Sequence, residues 1–194
     1  MKKTLFVLAG IILISFAVSA ETTAQELALK QLEQQNYTPS QVDSPEATTP
    51  FSGDNTGGPT WDRPFTVGTG ASGSCSISGA GPVSSETIPF HVDTTGLYTV
   101  FSAWTGYDGY LHIYQIAFDP LDQCVNLVAL DDDGPGGLAD SEIVDVTLTA
   151  GVQYYLIASG YGAGDEGPYS GTFNGVGTAT LGMVPVELQS FSIE

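Results

Sequence analysis

The nine residues GLYTVFSAW, Gly96 to Trp104, decide the fold class. Leu97, Thr99, Phe101 and Ala103 fall on one face of an extended chain, and Tyr98, Val100, Ser102 and Trp104 fall on the other. β-Branched and aromatic side chains supply much of both faces, with Gly96 before them and the turn residues of TGYDG after them. The pattern predicts a β-strand. The same texture repeats outward at intervals of roughly 8–12 residues. The candidates are RPFTV (63–67), SETIPFHV (85–92), GYLHIYQI (109–116), CVNLVAL (124–130), EIVDVTLT (142–149), VQYYLIAS (152–159) and GPYSGTFNG (167–175). Ile143, Val144, Val146 and Leu148 repeat the alternation imperfectly, and no segment here carries a helical period. Eight short strands over about 115 residues suffice for one all-β domain, an antiparallel sandwich with a single core, expected at residues 61–180.

The flanks read differently. Lys2 and Lys3 precede an apolar run from Leu5 to Val18, and Val18-Ser19-Ala20 has the small-x-small form of a signal-peptidase site. Residues 1–20 are therefore expected to be a secretory signal. A retained anchor is the competing reading, but the run is short for a span of roughly 20 apolar residues, and no second such stretch follows. No membrane span is expected once the signal is removed. Residues 21–60 contain one short helical candidate, AQELALKQLEQQ, followed by a Pro-, Gly-, Ser- and Thr-rich stretch, and are expected to be a flexible leader or pro-region. Residues 181–194 are expected to form a further strand, with Val184, Val186, Leu188 and Phe191 as its apolar positions, or an extended tail.

Charge excludes one class of partner. Loss of the signal leaves Lys30 and Arg63 as the cations against 22 Asp and Glu, a net charge of about −20. Such a chain repels phosphate backbones and anionic lipid, so nucleic acid is not an expected partner. Two cysteines in an exported chain make a Cys75–Cys124 bridge the expectation, with two buried thiols as its alternative.

Motifs of catalysis are missing. No G-x-S-x-G, H-E-x-x-H or P-loop occurs. GTGASG (68–73) matches G-x-G-x-x-G, but SCSISGAGP follows it instead of a helix, so it lacks the amides and dipole that hold a pyrophosphate. His91 and His112 stand in the middle of candidate strands with no nucleophile or orienting acid marked nearby. Paired carboxylates for glycoside hydrolysis are a matter of three-dimensional spacing, and the acids here crowd into turns. The chain is expected not to be an enzyme.

Two acidic turns remain. Asp131-Asp132-Asp133-Gly134 lacks the alternation and glycine position of an EF-hand, yet an acidic, glycine-rich turn offers the carboxylate and carbonyl oxygens that calcium takes. Gly160-x-Gly162-x-Gly164-Asp165 has the look of one calcium nonapeptide, an architecture that needs stacked copies. Ca2+ at Asp131, Asp132 and Asp133, joined by Asp108 or Asp165, is one expectation; solvated turns are the other. Aromatics form a second candidate, with Trp104, Tyr107 and Tyr161 on exposed loops as a platform for sugars, against the alternative that they pack in the core.

The run from Phe90 to Gly175 resembles the bacterial pre-peptidase C-terminal domain. TTGLYTV is followed by D-x-x-L-x-I-Y (Asp108 to Tyr114), the D-D-D-G turn, a serine-led strand (Ser141 to Leu148), T-A-G-V-x-Y-Y-L (Thr149 to Leu156) and a closing G-x-Y/F strand (Gly167 to Phe173). The resemblance implies a jelly-roll-like sandwich without catalytic residues, of a kind that accompanies secreted enzymes or surface proteins, sometimes binds calcium and sometimes assists binding to insoluble substrates. An enzyme domain beside the match is not expected. The expectation is a secreted, non-catalytic binding or assembly module at the cell surface or beyond it, with calcium at its acidic turns as one reading and solvated turns as the other. Its partner would be an extracellular protein or polysaccharide; a carbohydrate-binding module and a self-assembling subunit of a fibre or matrix are the alternatives.

Overall fold

A computed structural model describes residues 46–66, 75–137 and 140–185. The expected signal (1–20), the leader up to residue 45, the glycine string at 68–73 and the tail from residue 186 lie outside them. The described strands are β1 (Ala47–Asp54), β2 (Thr60–Trp61), β3 (Pro64–Thr66), β4 (Cys75–Ile77), β5 (Val83–Val92), β6 (Gly96–Trp104), β7 (Gly109–Gln115), β8 (Leu127–Asp131), β9 (Asp140–Leu148), β10 (Tyr154–Gly160), β11 (Pro168–Gly175) and β12 (Ala179–Leu181). No helix occurs among the described residues.

One sheet runs β1-β11-β6-β9 and the other β12-β5-β10-β7-β8, with antiparallel pairing throughout. Without the short strands, the eight long ones fall in the order first-eighth-third-sixth and second-seventh-fourth-fifth, which is a jelly roll. The chain changes sheets at almost every connection, and the hairpin β7–β8 is the exception. Between the sheets lies one core, built from the inward positions of both: Phe51, Tyr98, Val100, Trp104, Ile143, Leu148 and Phe173 from one, Phe90, Leu111, Ile113, Tyr154 and Leu156 from the other. Gly109 lies directly under the Trp104 ring, where a Cβ would collide with it.

The first strand corrects the expected leader. Residues 47–54 are not a leader but pair in full register with β11, from Ala47 opposite Gly175 to Asp54 opposite Pro168. Pro50 disguises the strand; proline is tolerated here because β1 is a sheet edge. Phe51 is its one fully buried side chain, so no apolar alternation marks it. The folded unit therefore starts at least 14 residues before the expected boundary at Trp61. Cys75–Ile77, which none of the strand candidates covers, form β4 against β3. Met183 to Pro185 are not in a strand.

A second cluster lies on the outside of the β5-β10-β7-β8 sheet. Trp61, Val83, Tyr114 and Ile157 pack there with Phe118, Leu127 and Tyr155 at the margin. The β3–β4 hairpin joins this layer: Cys75 on β4 is bonded to Cys124 in the β7–β8 loop, Cα atoms 5.8 Å apart, as the cysteine count predicts. His112 Nε2 is 3.2 Å from the Pro64 carbonyl, a second tie.

Candidate functional site

The acidic turns and several tyrosines meet at one end of the roll. Asp108 ends the β6–β7 turn, its carbonyl accepting the Tyr161 N–H at 3.0 Å, so two loops are joined there. The Gly162–Asp165 turn is closed twice, by Asp165 N–H on the Gly162 carbonyl (3.1 Å) and by Gly162 N–H on Asp165 Oδ2 (2.8 Å). Asn55 ties in a third loop: its Oδ1 accepts the Gly167 N–H at 2.8 Å, and its own N–H is 3.2 Å from the Gly167 carbonyl.

The aspartate run is split by strand geometry. Asp131, the last residue of β8, lines a groove of about 410 Å³ between the edge strands β8 and β9, and its Oδ1 accepts the Asp133 N–H at 3.0 Å. Asp132 instead lines a separate cleft with Arg63, Phe65, Ser78, Gly79, Tyr110 and Tyr161. Neighbouring residues on a strand point to opposite sides, so a run of three acids does not converge as a run. Among the described residues, no three His, Cys, Asp or Glu side chains stand close enough together to hold a metal ion.

The acids nevertheless share an electrostatic environment. Burial, then the charges of Asp165, Asp132 and Asp133, hold the Asp108 carboxyl up at about 6, with Arg63 acting the other way. One Asp108 oxygen is buried and has no hydrogen-bond partner. Burial also raises Asp131 to about 6 and raises Asp132, where the Asp133 charge adds to it.

Of the three expected sugar-stacking aromatics, one is corrected. Trp104 is 4% exposed and belongs to the core. Its Nε1 donates to Ser141 Oγ (2.9 Å), and that hydroxyl lies within 3.1 Å of the Gly109 carbonyl and 3.0 Å of the Asp132 carbonyl. Trp104 is a strut that fixes the backbone of the acidic turn. Tyr107 is half-buried against Trp104, its hydroxyl donating to the Gly167 carbonyl at 3.1 Å. Tyr161 alone is open, 42% exposed.

Arg63 completes the cleft, and sequence reasoning missed it. It is the only Lys or Arg among the described residues, and it is 2% exposed. Its Nε donates to the Tyr161 carbonyl at 2.7 Å, and its guanidinium carbon lies 4.5 Å from the Tyr110 ring centre and 4.4 Å from that of Tyr161. Nη1 is buried without a partner. The available signal was a lone cation beside Trp61 in an otherwise acidic folded region.

Neither histidine joins this end. His112 is sealed under the hairpin between Trp61 and Tyr110, and burial depresses it to about 3, so it stays neutral. His91 lies on β5 opposite Thr180. No protein-family model matches the chain, and no curated protein matches it either.

Proposed function

We propose that the chain is a secreted, non-catalytic β-sandwich module that binds an extracellular polysaccharide through the Arg63–Tyr161 end of the roll. One observation carries the reading: a cleft of about 360 Å³ in which an open tyrosine face, an acid and a buried arginine converge. Aromatic face plus a few convergent polar groups is the usual composition of a ligand site. Export is supported by the signal-like first 20 residues and by the formed disulfide, a bond of oxidising compartments. The resemblance to pre-peptidase C-terminal domains points the same way, toward binding without catalysis. The test is incubation of the purified chain with insoluble neutral and acidic polysaccharides, measuring bound protein and released sugar ends together. Saturable retention without hydrolysis is expected. Hydrolysis, or no retention on any polymer, overturns the reading.

Calcium is a second reading, favoured by the unpartnered, buried oxygen of Asp108 among three other aspartates. Two carboxylates with backbone carbonyls would then supply the ligands. An ion bound only by the folded chain raises the melting midpoint by mass action. Several degrees gained with calcium and lost with chelator are expected, and an unmoved midpoint discards this reading.

A further inference from the structure

We infer that the cleft lined by Arg63, Phe65, Ser78, Tyr110, Asp132 and Tyr161 is a subsite for one uncharged, multiply hydroxylated ring, the terminal or side-chain sugar of a neutral glycan. This rests on the polysaccharide reading and names the ligand class and the residues that select it.

The first consideration is the unmet hydrogen bond. A guanidinium has five N–H donors and no acceptor, and a buried donor left unpaired is costly. Arg63 is held in place by Nε on a backbone carbonyl and by the two tyrosine rings, while Nη1 has no protein partner. Nη1 is itself closed off from solvent, so the acceptor the guanidinium lacks would have to come through the cleft that Arg63 lines.

Charge then narrows the class. A carboxylate or phosphate would satisfy Arg63 but would meet Asp132 in the same cleft, and Asp108 and Asp133 close enough to act on one another. A cation would suit the acids but would face the guanidinium. A hydroxyl is both donor and acceptor, so neighbouring hydroxyls on one ring can accept from Arg63 and donate to Asp132 without carrying charge. Tyr161 and Phe65 offer apolar faces for the C–H side of such a ring. The volume, about 360 Å³, lies at the small end of ligand sites and suits one or two rings, not a long chain.

Fixation of the walls agrees with a preformed site. Ser78 N–H bonds to the Arg63 carbonyl at 2.9 Å, and the disulfide anchors the β3–β4 hairpin that carries Phe65. A site built before the ligand arrives loses less entropy on binding.

The experiment is a nuclear magnetic resonance titration of the whole chain with glucose, galactose, mannose and N-acetylglucosamine, with galacturonate as the anionic probe and glycine betaine as the zwitterionic one. A neutral sugar should give saturable shifts at Arg63, Tyr110 and Tyr161. Tyr161→Ala should weaken it at least tenfold, Tyr161→Phe should leave it within about threefold, and Asp132→Asn should weaken it while admitting galacturonate. Tyr161 is exposed and its backbone carbonyl survives substitution, so these variants keep the Arg63 anchor. Preference for galacturonate or betaine, no saturable shift with any probe, or an unchanged affinity in Tyr161→Ala would each overturn the subsite. If polysaccharide retention persists in Tyr161→Ala, the module reading stands and the subsite falls; if the unsubstituted chain is not retained at all, both fall.

Discussion

The two outer faces of this sandwich differ as much as inside and outside usually do. On the β5-β10-β7-β8 sheet, Trp61, Phe118 and the β3–β4 hairpin cover β7, so Tyr110, His112 and Tyr114 are as buried as Leu111 and Ile113 on the other side of the same strand. On the β1-β11-β6-β9 sheet, the outward rows Thr48–Asn174–Thr99, Pro50–Thr172–Phe101 and Ser52–Ser170–Ala103 are uncharged across β1, β11 and β6, and the last two continue on β9 into Glu142 and Asp140. Covering a face creates a third layer, and with it places where polar groups such as His112 and Arg63 can be held away from water. The face left in solvent carries mostly Ser, Thr and Asn, whose hydrogen bonds water can replace. The candidate site lies at the rim of the covered face because two walls and a floor exist there.

The largest effect should come from the covering layer. Trp61 is 3% exposed and packs edge-on against His112, Tyr114 and Phe118, with ring centres 5.0, 6.3 and 5.2 Å away. Trp61→Ala should cost about 3–5 kcal/mol in denaturant unfolding, as for other buried tryptophans. Its indole N–H has no hydrogen-bond partner, so Trp61→Phe removes an unmet donor along with some volume and should cost less than half as much. A cost below about 1 kcal/mol for Trp61→Ala would show that the third layer is held elsewhere, and the contrast between the faces would lose its energetic basis.

How legible each region is follows from the same contrast. Strand β6 runs from Gly96 to Trp104 in sequence and structure alike, because one of its faces is core and the other solvent, and that difference writes an alternation. The same alternation placed Trp104 with Tyr98 and Val100, so the exposed role expected for it contradicted its own strand. β7 was recognisable as a strand from its β-branched and aromatic content, but burial on both faces erases any record of what covers it. β1 was illegible because an edge strand with Pro50 and one core residue has the composition of a linker. The acidic turn was found by its residues, yet its division between two clefts depends on the strand end at Asp131, which composition does not show. Arg63 carried no motif at all; its significance is the rings over which it lies.

The disulfide should rank next. It links residues 49 apart, and closing a loop of that length in the unfolded chain is worth about 4 kcal/mol on the chain-entropy model, with measured values commonly at 2–4. Cys75→Ser combined with Cys124→Ser should lower stability by that amount. The β3–β4 hairpin should also loosen before the rest of the fold, because the remaining ties, His112 on Pro64 and Arg63 Nε on the Tyr161 carbonyl, both lie on its β3 side. Hydrogen exchange of the Phe65 and Ser76 amides reads the local step and denaturant unfolding the global one. Simultaneous loss of both would make the covering layer part of the main cooperative unit.

A smaller effect follows from pH. Asp108 and Asp131 titrate near 6 in the folded chain against an ordinary 3.8, so as pH falls through 6 the folded state takes up protons first and gains stability until about pH 4. His112 acts oppositely: depressed to about 3 against 6.5, it lets the unfolded state take up a proton first below pH 6.5. Two carboxyls outweigh one imidazole between pH 6 and 4, and melting should be a few degrees higher at pH 5 than at pH 7.5. Asp108→Asn should raise the midpoint at pH 7.5 and shrink the gain on acidification. A variant that melts lower at pH 7.5 would mean that the Asp108 carboxylate has a favourable partner, which is what a bound cation would provide.

The smallest effects belong to the uncovered face. Ser170 is exposed between Ser52 and Ala103, and Thr48 is exposed with its hydroxyl donating to Asn174 Oδ1 at 2.9 Å. Water replaces such bonds at little cost, so Ser170→Ala and Thr48→Ala should each change stability by less than about 0.5 kcal/mol. The melting midpoint should also be independent of protein concentration. If either substitution cost more than about 1 kcal/mol, or if the midpoint climbed with concentration, the uncharged β1-β11-β6 part of this sheet would be buried against a second copy. In a chain whose acids make most approaches between copies repulsive, the β1, β11 and β6 positions of these rows are where two molecules could meet face to face. The two faces would then both be covered, one by the chain's own hairpin and the other by its neighbour.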